Sequence, residues 1–150
     1  HPDTLATRHG IAWTEAEQGN VIEAERLYRQ VLQARERVLG SDHPDTLSTR
    51  YGIARMAAEQ GNVIEAEHLY RQVLQTQERV LGSDYPRTLA TRYEIARMVA
   101  KRGDAAEAER LFRDVLQTQE RVLGSDHANT RITADALRAL TTSTEGRRDE

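Results

Sequence analysis

Apolar residues along this chain recur mostly three and four positions apart, the spacing of one face of an α-helix. Leu47, Tyr51, Ile53, Ala54 and Met56 form one stripe, which stops at Gly61. Ala66, Leu69, Tyr70, Val73, Leu74, Val80 and Leu81 form the next, which stops at Gly82. No sustained period-two alternation appears, so no strand is predicted. The boundaries carry helical signals too. Pro44 suits a first helical position, where its missing N–H would be unpaired anyway. Asp45 places negative charge at the positive end of the helix dipole. Asn62 and Glu65 have the spacing of a capping box, as do Asn20 with Glu23 and Asp104 with Glu107. Glycine tolerates the left-handed backbone of a helix C-cap, so Gly61 and Gly82 read as stops.

The same pattern returns every 42 residues. His1–Asp42 and His43–Asp84 are identical at 34 of 42 positions. Tyr85–Asp126 differs from the second copy at 13. His127 opens a fourth copy that reaches only its first half. A period of this length signals stacked supersecondary units that contact only their neighbours. Each unit is predicted to be a hairpin of two helices, each roughly 17–19 residues and 25–28 Å long. The expected organisation is repeat 1 at 1–42, repeat 2 at 43–84, repeat 3 at 85–126, a C-terminal capping helix at 127–140 and a polar tail at 141–150. In the capping helix Ile132, Ala136, Leu137 and Leu140 can cover the third repeat, leaving Arg131, Asp135 and Arg138 to water. In the first copy Thr14-Glu15 replaces Met56-Ala57 and Met98-Val99, a more polar outer face.

The residues of this unit resemble a tetratricopeptide repeat. Ile53-Ala54, Gly61, Ala66, Tyr70 and Val73-Leu74 stand where that family has its Leu-Gly-like pair, its turn glycine, and the Ala, aromatic and Ala-Leu of its second helix. The longer unit and the run Val38–Thr46 (VLGSDHPDT) resemble the extended subclass found in kinesin light chains and bacterial repeat arrays. Arg8, Arg50 and Arg92 depart from the family's bulky apolar residue early in the first helix. The resemblance implies an all-α, right-handed α-solenoid of three hairpins plus a capping helix, seven helices in all. It also implies a concave face lined by first helices, on which His9, Trp13, Tyr51, Arg55, Tyr93 and Arg97 would contact a peptide or partner. Glu17, Glu59 and Lys101 extend the same stripes.

Composition narrows the chemistry. Net charge is −3 with charged residues at 30%, too balanced to point to nucleic acid or an anionic membrane. No apolar run approaches the ~18 residues of a membrane span. There is no cysteine, which fits a reducing, cytoplasmic setting. Of 21 basic residues only Lys101 is lysine, an arginine bias that suggests a GC-rich, bacterial genome. The absence of an initiator Met suggests an excised fragment.

Enzymatic readings fail on geometry. His1, His43 and His127 recur one unit apart, and stacked units lie about 8–10 Å apart. Zinc needs every ligand within about 2.0–2.3 Å of one point. A helix-start role suits these histidines instead, and no metal or cofactor is expected. Ser41-Asp42-His43 has triad residue types only as sequence neighbours. The glycines occur singly, so no phosphate-cradling loop exists. The expected protein is non-enzymatic, a scaffold for a protein or peptide. Arginine and aromatic groove residues favour acidic groups or a C-terminal carboxylate. Two alternatives stay open. Near-identical units can self-associate head to tail or swap the terminal helix, and the chain could serve as the sensor arm of a larger bacterial signalling ATPase. Trp13 is either a binding hot spot or an end residue made for an upstream element.

Overall fold

The computed structural model describes residues 2–148, with side chains described for 4–148. Seven α-helices and no strands occur among these residues. They are α1 (Pro2–Glu17), α2 (Val21–Leu39), α3 (Pro44–Glu59), α4 (Val63–Val80), α5 (Pro86–Lys101), α6 (Ala105–Val122) and α7 (Ala128–Arg148). The chain forms two compact units, α1–α4 up to Val80 and α5–α7 from Leu81 on. In each unit helices adjacent in sequence pack on one another, and α1 also touches α3.

Sequence chemistry accounts for the ends of these helices. The backbone at Gly61 has φ +81°, a left-handed value at which a Cβ would be strained, and here α3 turns into α4. Gly19 and Gly103 take the same role in the other hairpins. The recurring boundary histidine is a helix cap: His43 Nδ1 accepts from the Asp45 N–H at 3.1 Å, and His127 Nδ1 accepts from the Asn129 N–H at 3.1 Å. His1 lies outside the described residues. Of the expected capping boxes, Asp104 does accept from the Glu107 N–H at 3.2 Å. Asn20 makes no side-chain cap; its amide donates to Glu15 Oε2 at 2.7 Å instead. On the exposed faces the glutamate–arginine pairs four apart form as their spacing suggests: Glu25–Arg29 at 2.7 Å, Glu67–Arg71 at 2.9 Å and Glu109–Arg113 at 2.7 Å.

The core of the first unit gathers Ala12, Ala24, Tyr28, Ile53 and Met56, with Ala16, Leu27, Leu32 and Leu69 packed around them. Met56 is thus buried against the preceding hairpin, whereas its first-copy counterpart Thr14 is exposed. Small residues let helices approach here. A Cβ built on Gly52 would lie 2.8 Å from Cε1 and Cζ of the buried Tyr28 ring, while one on Gly10 would meet nothing within 4 Å.

In the second unit α5 and α6 form the third hairpin and α7 follows. Arg131, Asp135 and Arg138 of α7 are exposed, and Leu137 is buried, in line with the sequence pattern. Ile132 is exposed rather than covering. The helix also runs further than the expected 127–140: residues 141–148, read from the sequence as polar tail, are helical. The repeat register explains this. Glu145 stands where the turn glycine stands in the complete copies, so nothing there favours a left-handed stop. The Thr141, Thr142 and Thr144 hydroxyls fold back on carbonyls three and four residues earlier, for example Thr144 Oγ1 to Leu140 O at 2.7 Å. Asp149 and Glu150 lie outside the described residues.

Candidate functional site

The first helices carry the residues singled out from the sequence. In the first unit one α-helical stripe of α3 presents Tyr51, Arg55 and Glu59, and α1 presents His9, Trp13 and Glu17 beside it. Arg55 joins the two helices. Its guanidinium carbon lies 4.9 Å from the centroid of the Trp13 ring. Its Nη2 donates to Glu17 Oε1 at 2.6 Å. Burial pulls the Arg55 guanidinium down, but the hydrogen bond and charge of Glu17 leave it on balance above the ordinary arginine value. Trp13 remains 52% exposed, a large aromatic surface facing water.

The stripe position one turn earlier behaves differently. Each of its rings packs edge-on against the aromatic of the second helix in its own hairpin. His9 meets Tyr28 at 5.3 Å between centroids, Tyr51 meets Tyr70 at 5.3 Å, and Tyr93 meets Phe112 at 5.7 Å. Such T-shaped pairs add about 0.5–1.5 kcal/mol beyond area burial. These three residues therefore brace their hairpins, and each is only partly exposed. Burial pushes the Tyr93 phenol up from its ordinary value.

His9 has a second partnership that sequence reasoning missed. Arg35 on α2 is only 5% exposed. Its Nη1 lies 3.1 Å from His9 Nδ1, and donates to Asp45 O at 2.9 Å and Thr49 Oγ1 at 2.8 Å. Burial pulls this guanidinium below the ordinary arginine value, opposed by the charge of Asp45. The sequence held one signal: Arg35 becomes Gln77 and Gln119 in the copies where His9 becomes Tyr.

In the second unit α5 carries Tyr93, Arg97 and Lys101. Arg97 Nη1 donates to Glu94 Oε2 at 2.8 Å within the same helix, and Lys101 is exposed. The first unit also has a groove of about 500 Å³ between α2 and α4, floored in part by α3, with Leu32, Ile53, Leu69 and Val73 among its lining. Among the described residues no group of three or more His, Asp or Glu could hold a metal ion. No helix among them is long and apolar enough to cross a membrane.

Comparison with known proteins agrees with this architecture. The tetratricopeptide repeat model matches residues 3–78 and 49–116. Among solved structures, a kinesin-light-chain protein of Podosopora anserina with nearly identical TPR-like repeats has a TM-score of 0.84 at 30% identity, covering 99% of this chain and 71% of its own. BtubC (BKLC) from P. vanneervenii has a TM-score of 0.76 at 21% identity, with 89% of this chain covering 52% of that one. The type III secretion translocator chaperone SycD of Yersinia enterocolitica has a TM-score of 0.70 at 19% identity, covering 97% and 88% of the two chains. The last two likenesses concern the fold alone. No curated protein matches the chain.

Proposed function

This chain belongs to the tetratricopeptide repeat family, an all-α repeat fold of the solenoid class, and on that premise we propose that it is a non-enzymatic scaffold binding an acidic peptide on its first-helix face. The observation that carries the reading is the Trp13–Arg55–Glu17 cluster. A half-exposed indole lies beside a cation whose present carboxylate partner is its own Glu17. Exposed ion pairs contribute only about 0–1 kcal/mol. A ligand carboxylate can therefore take the place of Glu17, while Trp13 supplies apolar area at little entropic cost. In the first unit Tyr51 and His9 offer their remaining ring surface; on α5 of the second unit Arg97 and Tyr93 are proposed as partner-binding residues of that unit. A cytoplasmic location goes with this proposal.

Self-association by stacking has less support. Thr14 on α1 and Arg131 and Arg138 on α7 are exposed where the second copy buries Met56, Leu47 and Ala54, which leaves these faces polar.

The test is a titration of Trp13 fluorescence with a Glu-rich peptide and its Gln-substituted counterpart. Saturable binding of the acidic peptide, weakened at higher salt and in Arg55→Ala and Arg97→Ala, supports the proposal. Equal binding of both peptides, or unchanged affinity in both variants, sinks it.

A further inference from the structure

One helical turn beyond Trp13 and Arg55, the first-helix face of the first unit becomes acidic. Glu17 follows Trp13 by four residues on α1, and Glu59 follows Arg55 by four on α3. Residues four apart are neighbours on a helix surface, about 5–6 Å between Cβ atoms. Arg55 Nη2 reaches across to Glu17 Oε1 at 2.6 Å. Burial pulls the Arg55 guanidinium down, while the hydrogen bond and charge of Glu17, with smaller contributions from Tyr28 and Glu59, hold it above the ordinary arginine value. Among the described residues Arg55 is the only basic group that either carboxylate meets. Two exposed carboxylates thus share one guanidinium.

That balance decides what a ligand must carry. A ligand carboxylate that takes the place of Glu17 on Arg55 leaves Glu17 without a cation, beside Glu59. A ligand with acidic groups alone brings a third negative charge to a place that holds one positive charge. Like charges at neighbouring positions of a helix surface repel about as strongly as opposite charges attract. A basic group on the ligand, about one helical turn from its carboxylate, would meet both carboxylates at once.

We infer, resting on the acidic-peptide reading, that the first unit selects a charge-paired segment: a carboxylate over Trp13 and Arg55, and a lysine or arginine one turn further along, over Glu17 and Glu59. The ion pair of the free chain is then exchanged for pairs with the ligand instead of being lost. In an extended peptide, side chains two residues apart project to the same side at a separation of about 6–7 Å, close to this step. The third copy carries Lys101 where the first two carry Glu17 and Glu59, so the requirement belongs to the first unit.

The experiment titrates the intact chain at low salt, with Trp13 fluorescence as the signal, against two peptides of equal length. One repeats Glu-Ser-Lys-Ser, which presents acid and base in both orders. The other repeats Glu-Ser-Gln-Ser, with the same glutamates and no cation. Exposed charge pairs change an equilibrium constant by up to about fivefold, so the lysine peptide should bind about two- to fivefold tighter. Glu59→Lys, which installs the residue of the third copy, should reverse that preference. Glu120→Lys, the same change of charge at an exposed position of α6, should leave it unchanged. Suppose the glutamine peptide binds in an Arg55-dependent way and lysine adds nothing, or Glu59→Lys and Glu120→Lys alter the preference equally. Either result overturns the inference and leaves the acidic-peptide reading standing. No binding of either peptide, or binding that Arg55→Ala does not weaken, overturns both.

Discussion

Gly10 and Gly52 occupy the same position of the repeat, and the structure predicts opposite responses to the same substitution. Alanine in a helix interior is better than glycine by about 1 kcal/mol. At Gly10 an added Cβ meets nothing within 4 Å, so Gly10→Ala should stabilise by about that amount. At Gly52 the Cβ would lie 2.8 Å from Cε1 and Cζ of Tyr28 and 3.1 Å from Cδ1. Carbon contacts are comfortable at about 3.5–4.0 Å, so the ring must retreat by roughly 0.7 Å or more. Tyr28 is 1% exposed and packed edge-on against His9, which leaves it little room. Overpacking of this kind costs about 1–3 kcal/mol. The propensity gain offsets part of that, so Gly52→Ala should destabilise by about 1 kcal/mol, and the two variants should differ by about 2. For a chain of this size that is roughly 4–8 °C between their melting temperatures. Thermal unfolding followed by circular dichroism reads it directly. If Gly52→Ala stabilises as much as Gly10→Ala, the close packing of α2 on α3 is wrong.

Three further outcomes follow from other parts of the fold. His43→Ala removes the α3 cap and should cost about 0.5–2 kcal/mol by urea unfolding, whereas His43→Asn, which can cap, should cost much less. Glu145→Gly restores a glycine at the register of the hairpin turns and should end α7 near that residue. Faster amide exchange over residues 146–148, with the rest of α7 unchanged, would show it. The exposed Asp42–Arg79 pair, 2.9 Å apart, should contribute little, and Arg79→Ala should shift stability by less than about 1 kcal/mol.

Much of this architecture is legible in the residues because the signals are local. Turn glycines, prolines at first helical positions and apolar stripes act within a few residues of themselves, and they fall where the helices begin and end. The α7 overrun was also written in the sequence, since Glu145 occupies the glycine position, but a polar composition hid it. Caps were less legible because several side chains compete for one N–H: Asn20 turned to Glu15, and histidine took the capping role at His43 and His127. The binding face was readable only as a stripe. Nothing in the spacing shows that the rings at His9, Tyr51 and Tyr93 lean inward onto Tyr28, Tyr70 and Phe112, or that Arg55 reaches α1. Those contacts join residues up to 42 positions apart, Trp13 and Arg55, and depend on how the helices pack.

The proposal that the first-helix face is the binding surface has a direct measurement. Amide, indole and guanidinium resonances of the intact chain can be followed by NMR while the Glu-rich peptide is added. The account predicts that the largest shifts fall on the Trp13 indole, Arg55 and neighbouring α1 and α3 residues. Shifts confined to the groove between α2 and α4, or none at peptide concentrations that saturate binding, would contradict it.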